Sequence, residues 1–270
     1  MRIYTICVYV FLYTPIAIIA LFSFSAGRSA SQFEGFSTQW YGRALFNPFV
    51  MDALGNSFFV AFVSASIASI LGALAAVGLQ GIRGPARAFF DAIIYIAVMI
   101  PGIVIGIATL IALVTIFGVV NPWLAAIWPT SENPPSLSMG MGSLIAAHTM
   151  FTMALVIIIV RARLSSIEGA LSEASADLYA TPFGTFRQIT LPLIAPAVLA
   201  GFLLSFTFSF DDFIIAFFVA GSETTLPIYI FSSIRRGITP EVNAIGTMVM
   251  MASLILLVIA QLILRRSAKQ

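Results

Sequence analysis

The sequence predicts an all-α membrane protein with six transmembrane helices, and three observations carry that expectation. Of 270 residues, 60% are hydrophobic and only 9% charged, with a mean hydropathy of +1.05. A soluble domain carries about a quarter charged residues, so most of this chain must meet lipid. Apolar runs of about 20 residues, the length that crosses a bilayer as helix, recur at 3–24, 54–79, 89–118, 141–160, 192–220 and 244–264. The cations also sort by side. With the N-terminus inside, the cytoplasmic pieces hold nine (Arg2, Arg83, Arg87, Arg161, Arg163, Arg187, Arg265, Arg266, Lys269) and the outer pieces four (Arg28, Arg43, Arg235, Arg236). That bias sets both termini in the cytoplasm.

The net charge of +2 is small and dispersed, which argues against a nucleic-acid partner. The first run is too long for the apolar region of a signal peptide, and Arg2 alone precedes it, so it reads as an uncleaved anchor. A cleavable signal ending near Ala26 or Ala30 is the alternative. Cys7 is the single cysteine, which excludes disulfides, and it reads as a small buried hydrophobe. Residues 25–53 form an outer loop with a short interfacial helix, where Trp40 and Tyr41 favour the headgroup region. Residues 80–88 turn inside the cell on Gly81, Gly84 and Pro85.

Residues 92–131 carry no charge, yet 40 residues of helix would be much longer than a membrane is thick. The run is therefore expected to bend out near Gly118–Pro122, leaving 119–140 as an irregular outer loop. Pro101–Gly102 sits inside the third helix and kinks it. That kink is either a packing feature or a pore-lining hinge. In the fourth helix, Ser143 and His148 superficially offer a nucleophile and a base. Five residues apart, they point to different faces, so an intramembrane protease is not supported, and His148 reads as a packed or interfacial side chain.

Between the fourth and fifth spans lies EASADLYATPFGTFRQITLPL, from Glu173 to Leu193. Upstream, Ser165-Ser166-Ile167-Glu168 offers a capping box. Ile167, Leu171, Ala174 and Leu178 then form one apolar stripe at helical spacing, while Glu168, Ser172, Glu173 and Asp177 face elsewhere. Thr181-Pro182 is a cap followed by proline at the first helical position, which starts a second helix. The product is a helix–turn–helix knob, either a docking surface for another protein or a self-packed inner loop.

Glu173-Ala174-Ser175, Leu178 and Ile189-Thr190-Leu191-Pro192 resemble the loop that defines membrane subunits of ATP-binding-cassette importers. There the pattern is Glu-Ala-Ala, three residues, Gly, nine residues, Ile, one residue, Leu-Pro, and every spacing matches. Ser175 replaces the second Ala and Tyr179 replaces the Gly. A left-handed tyrosine would be strained, so a modified turn geometry is expected at Tyr179. The resemblance implies a type I importer permease fold over 1–270, one transmembrane permease domain with a coupling loop at about 162–191. It also implies that Glu173, Ala174, Ser175, Asp177, Leu178 and Tyr179 couple to an ATPase. The chain has no G-x-x-x-x-G-K-[ST] segment and its only lysine is Lys269, so it is no enzyme, binds no cofactor itself, and leaves ATP and Mg to partner subunits.

Asp211-Asp212 stands in the fifth apolar run, about 28 Å along a helix from Pro192. Either the pair caps a following helix, or one carboxylate lines the route of a cationic solute. Adjacent residues point about 100° apart, so only one can do so. Ser205-Phe206-Thr207 with Asp211-Asp212, Thr225-Leu226-Pro227, Phe231-Ser232-Ser233 and Thr239-Pro240-Glu241-Val242-Asn243-Ala244 resemble the second permease of spermidine/putrescine importers. That resemblance implies polyamine uptake across a bacterial inner membrane. The partners it implies are a second, homologous permease chain, two copies of an ATP-binding subunit and a periplasmic or lipid-anchored solute-binding protein. Related permeases carry γ-aminobutyrate, opines, aminoethylphosphonate or ferric iron. Positive charge outside is unusual, so Arg235, Arg236 and Glu241 are candidates for docking the binding protein, with interfacial snorkelling as the alternative. A proton-driven secondary transporter that uses Asp211 or Asp212 is the competing class.

Overall fold

Lipid offers no hydrogen bonds to the backbone, so a chain this apolar must satisfy its own peptide groups, and helices do so locally. The computed structural model describes residues 2–29, 32–128, 134–167, 169–237 and 239–267. Its helices are α1 (Arg2–Phe22), α2 (Gln39–Phe46), α3 (Pro48–Gly78), α4 (Gly84–Met99), α5 (Gly102–Ile127) and α6 (Met141–Leu164), followed by α7 (Gly169–Asp177), α8 (Pro182–Thr185), α9 (Leu191–Asp211), α10 (Ile214–Val219), α11 (Leu226–Arg236) and α12 (Pro240–Ser267). A 3₁₀ turn, Leu79–Gly81, ends α3, and a π-helical turn, Phe186–Thr190, joins α8 to α9. Among the described residues five helical stretches are long and apolar enough to cross a membrane: Ile3–Phe22, Pro48–Gly81, Gly102–Ile127, Met141–Leu164 and Pro182–Asp211. The apolar stretch Pro240–Ile255 of α12 adds a shorter one, which is consistent with six spans.

Two compact units divide the chain. One comprises Met1–Ala53 with Tyr229–Gln270. Here α1 and α2 both pack on α12. Trp40 is buried and donates to the Ser25 carbonyl at 2.9 Å. Tyr41 Oη meets Ser23 Oγ at 2.6 Å, and the Arg43 guanidinium lies 4.7 Å from the Trp40 ring centre. Cys7 is exposed on α1, not buried: among the described residues nothing packs over that face of α1.

The second unit is Leu54–Ile228. Its centre is α6, whose Val156, Ile157, Val160 and Leu164 are buried with Ala68 and Ala76 of α3, Ile94 of α4 and Ile194 of α9. Missing side chains permit that closeness. A Cβ on Gly72 would lie 2.8 Å from Val156 Cβ, and one on Gly201 would lie 3.2 Å from Val156 Cγ1. Val156 is thus held between glycines of α3 and α9, the small-residue contact that helix packing in lipid favours. A second core joins α5, α6 and α10 through Ile105, Leu144, Ala147, Ile215, Ala216 and Val219.

Three expectations change here. The uncharged run breaks at Ile100–Pro101, not near Gly118, and α5 continues through Pro122 to Ile127. The proline at 101 has no N–H to donate and turns the chain, whereas glycine alone does not end a helix in lipid. Residues 119–127 are therefore helix and not irregular loop; part of the rest, 129–133, lies outside the described residues. The fifth run is also interrupted, between α9 and α10, at Asp212–Phe213.

Replacing Gly72 by Ala should lower stability by about 1–3 kcal/mol through overpacking against Val156. Gly78→Ala, where a Cβ meets nothing within 4 Å, should be neutral or mildly stabilising. Thermal unfolding of the purified protein in detergent reads both.

Candidate functional site

At the start of the knob, between α6 and α9, the hydroxyls of Ser165 and Ser166 donate to the carbonyls of Ala162 (2.9 Å) and Arg163 (2.7 Å) at the end of α6. Glu168, the other half of the expected capping box, lies outside the described residues, and the helix starts at Gly169.

The turn itself keeps the left-handed geometry that glycine would provide. Tyr179 has φ 56°, the one positive φ outside glycine among the described residues, so the expected modification of the turn is absent. Neighbouring bonds explain how a tyrosine is held there. The Ala180 amide donates to the Ser175 carbonyl at 3.1 Å, and the Gly184 amide to Thr181 Oγ1 at 3.1 Å, the cap that Thr181-Pro182 predicted. Thr185 Oγ1 donates to the Thr181 carbonyl at 3.3 Å, which leaves Ser175 Oγ to donate to Thr185 Oγ1 across 2.8 Å. Ser175 therefore faces inward as a clasp between α7 and α8, and does not lie on the outer surface with the other candidates.

What remains outside is apolar and acidic. Leu178 is 81% exposed, Tyr179 96% and Phe183 71%, with Glu173, Ala174 and Asp177 exposed beside them. Of the expected stripe only Ile167 joins the core; Leu171 and Leu178 have no cover. A self-packed loop would hide these side chains.

The helix that leaves the knob runs without a break from Pro182 to Asp211. Its π-helical turn, a geometry often found at functional positions, lies just before Leu191-Pro192. Arg163 Nε donates to the Leu193 carbonyl at 3.0 Å and ties the end of α6 to this helix. Nearby, Asp91 of α4 receives Arg161 of α6 and Arg87 of its own helix.

At the far end of α9 the two adjacent acids separate. Asp212 Oδ2 accepts the Ala216 amide at 2.9 Å and so caps α10, the structural role its position allowed. Asp211 is exposed and lines a cavity of about 410 Å³ with Thr207, Phe208, Asp212, Phe213 and Ile214. Behind them lies a group that sequence reasoning treated only as packing. His148 of α6 is 2% exposed. Its Nδ1 is 2.6 Å from Ser209 Oγ, and its Nε2 is 3.4 Å from Asp212 Oδ2. Ser209 Oγ also meets Ser64 Oγ of α3 at 3.1 Å, and Ser64 donates to the Val60 carbonyl at 2.6 Å. Ser143, the imagined nucleophile, is occupied with the amide of Gly140 and the carbonyl of Val219.

The third candidate cluster divides as well. Glu241, in the first turn of α12, accepts from Asn47 Nδ2 at 2.8 Å. Arg235 and Arg236 stay exposed at the end of α11, with Arg235 5.9 Å from the Phe231 ring centre. Among the described residues no group of His, Cys, Asp and Glu could hold a metal ion.

Residues 68–270 match the family of inner membrane components of binding-protein-dependent transport systems. The fold agrees. A chain of a bacterial ABC transporter involved in the import of the acidic polysaccharide alginate superposes with a TM-score of 0.75 at 18% identity, covering 98% of this chain and 94% of that one. A chain of the MetNI methionine ABC transporter in an inward-facing conformation gives 0.58 at 18% identity, over 80% and 94%. The chain is a membrane permease subunit of the ATP-binding-cassette importer class. It belongs to the binding-protein-dependent inner-membrane family. Among similar proteins are the putrescine transport system permease protein PotI of Escherichia coli (strain K12), 35% identical over 97% of this chain and 89% of its own. The spermidine/putrescine transport system permease protein PotC of Haemophilus influenzae is 36% identical over 96% of this chain and 94% of its own.

Tyr179→Gly should relieve a left-handed cost of about 1–2 kcal/mol, partly offset by the freedom that glycine adds to the unfolded chain. The expected net gain is about 0.5–1 kcal/mol, which slows backbone hydrogen exchange at Ala180 and Thr185 roughly two- to fivefold.

Proposed function

We propose that this chain forms half of the translocation pathway of a polyamine importer in the bacterial inner membrane, with both termini in the cytoplasm. Its partners are a second, homologous permease chain, two copies of an ATP-binding subunit that hold ATP and Mg, and a periplasmic or lipid-anchored solute-binding protein. The uncovered apolar and acidic knob carries this reading. Leu178, Tyr179 and Phe183 offer apolar area, and Glu173 and Asp177 fix the charge that a partner must match. Because α9 continues from the knob, a partner that closes on ATP moves a membrane helix directly, and the two access states alternate.

Polyamine follows from two supports. The relatives named above are putrescine and spermidine permeases over nearly their whole length. In this chain Asp211 puts a carboxylate beside a cavity that is otherwise lined mostly by apolar groups, as a cationic solute requires. Arg235 and Arg236 are the proposed contacts for the binding protein; Glu241 supports that face by fixing Asn47.

Glu173→Lys should cut uptake at least about tenfold and release the ATP-binding subunit, because reversed charge in a docked contact is costly. Co-purification and uptake read the two effects, and normal values for both would reject the knob as the coupling surface. Asp211→Asn should slow a polycation more than a neutral analogue. In a thermal-shift screen of the solute-binding partner, spermidine and putrescine should outrank γ-aminobutyrate and opines; the reverse order would move the solute assignment to those amines.

A further inference from the structure

The buried chain around His148 can be followed proton by proton. Ser64 has one hydroxyl proton, and it goes to the Val60 carbonyl at 2.6 Å. Ser64 Oγ can therefore only accept from Ser209. Ser209 in turn has one proton, for either Ser64 Oγ at 3.1 Å or His148 Nδ1 at 2.6 Å. If it goes to Nδ1, the ring carries its own proton on Nε2. If it goes to Ser64, Nδ1 must donate to Ser209. A bare Nε2 would then set its lone pair against the Asp212 carboxylate, 3.4 Å away. With the Ser209 proton on Nδ1, the ring carries its own hydrogen on Nε2, which lies 3.4 Å from Asp212 Oδ2 as a close polar contact without hydrogen-bond alignment.

Nε2 is buried and has no hydrogen-bond partner among the described residues, and Asp212 Oδ2 is the carboxylate oxygen beside it. The same oxygen already accepts the Ala216 amide. Asp212 is thus flanked on its inner side by the α6 imidazole and held by the first turn of α10. Its side chain is 17% exposed, although it borders the cavity. Among the described residues Asp211 has no such neighbour, and it stands exposed at the same cavity.

We infer that His148 is a positioning residue that withholds Asp212 from the cavity, so that the face offered to a cation carries one carboxylate, that of Asp211. The inference rests on the reading of Asp211 as a pathway group, and its physical logic concerns release. Two adjacent carboxylates open to one water-filled space would bind a diamine too firmly to let it go, whereas one gives attraction without a trap. His148 is linked to that charge through Asp212 and does not itself touch the solute.

The test reads the charge of the cavity directly. Thr207→Cys, in a Cys7→Ala background, places a thiol on the cavity wall and leaves both acids in position. The full transporter in membranes is treated with a cationic (trimethylammonium) and an anionic (sulfonate) methanethiosulfonate, and the ratio of the two rates is taken. His148→Asn keeps a group near the Nδ1 position for Ser209 and loses the donor to Asp212; the ratio should rise about three- to tenfold as Asp212 is freed. His148→Gln places a donor near the Nε2 position and should keep the parent ratio, an outcome that a merely space-filling histidine would not produce. Equal ratios in both variants, raised or not, overturn the inference. Should His148→Asn fail to assemble, Asp212→Asn decides: a change of no more than about twofold supports withheld charge, and a larger fall rejects it. Asp211→Asn in the same background should lower the ratio several-fold. If it does not, the pathway reading of Asp211 fails by itself, whatever the His148 variants show.

Discussion

Inside a bilayer a polar atom must find its partner within the protein, and that requirement organises this chain at every scale. It forces the apolar runs into helix. It turns hydroxyls back onto their own helices, as Thr152 does to His148 O at 2.7 Å and Thr115 to Ile111 O at 2.8 Å. It also decides where a helix stops. The break after Asp211 leaves α10 with unpaired amides, and Asp212 supplies an acceptor on the spot. Beside that acid α6 sets His148, its Nε2 3.4 Å from the carboxylate and its Nδ1 bonded to Ser209 of α9, which also meets Ser64 of α3. Interhelical hydrogen bonds of this kind contribute about 0.6–2 kcal/mol each, and together they tie three helices to one corner.

The knob outside the apolar spans obeys a different constraint. A sharp reversal between α7 and α8 needs one left-handed residue, and Tyr179 takes that place at the cost of strain. The strain persists because the clasp between Ser175 and Thr185, the Thr181 cap and the Ala180 amide bond all close around it. Strain at a surface position with an aromatic ring 96% exposed is not explained by the chain's own packing. It is consistent with a surface shaped for a partner.

Local chemistry was readable from the sequence, and distant chemistry was not. Thr181-Pro182 announced a helix start because cap and proline act within one turn. The acids at 211 and 212 could be set at the end of a helix by counting from Pro192, and the capping role of one of them was foreseen. What could not be read was which acid is engaged, since the answer lies on α6, 61 residues away from Ser209 in sequence. Ser175 is a milder case. In a motif it looks like a substitute for alanine, and only the fold shows that its hydroxyl clasps Thr185. The misplaced bend near Gly118 has a simpler origin: length alone demanded a break, and the proline at 101 provided it earlier.

The grip on Val156 has a geometrical consequence. Gly201 lets α9 touch α6 closely at one point, with about 28 Å of helix between it and Pro182 and about 15 Å between it and Asp211. A rod pinned at such a place works as an unequal balance. Any tilt about that fulcrum sweeps the long arm at the knob roughly twice as far as the short arm at the cavity, so a coarse stroke at one end arrives at the other as a smaller and more forceful adjustment.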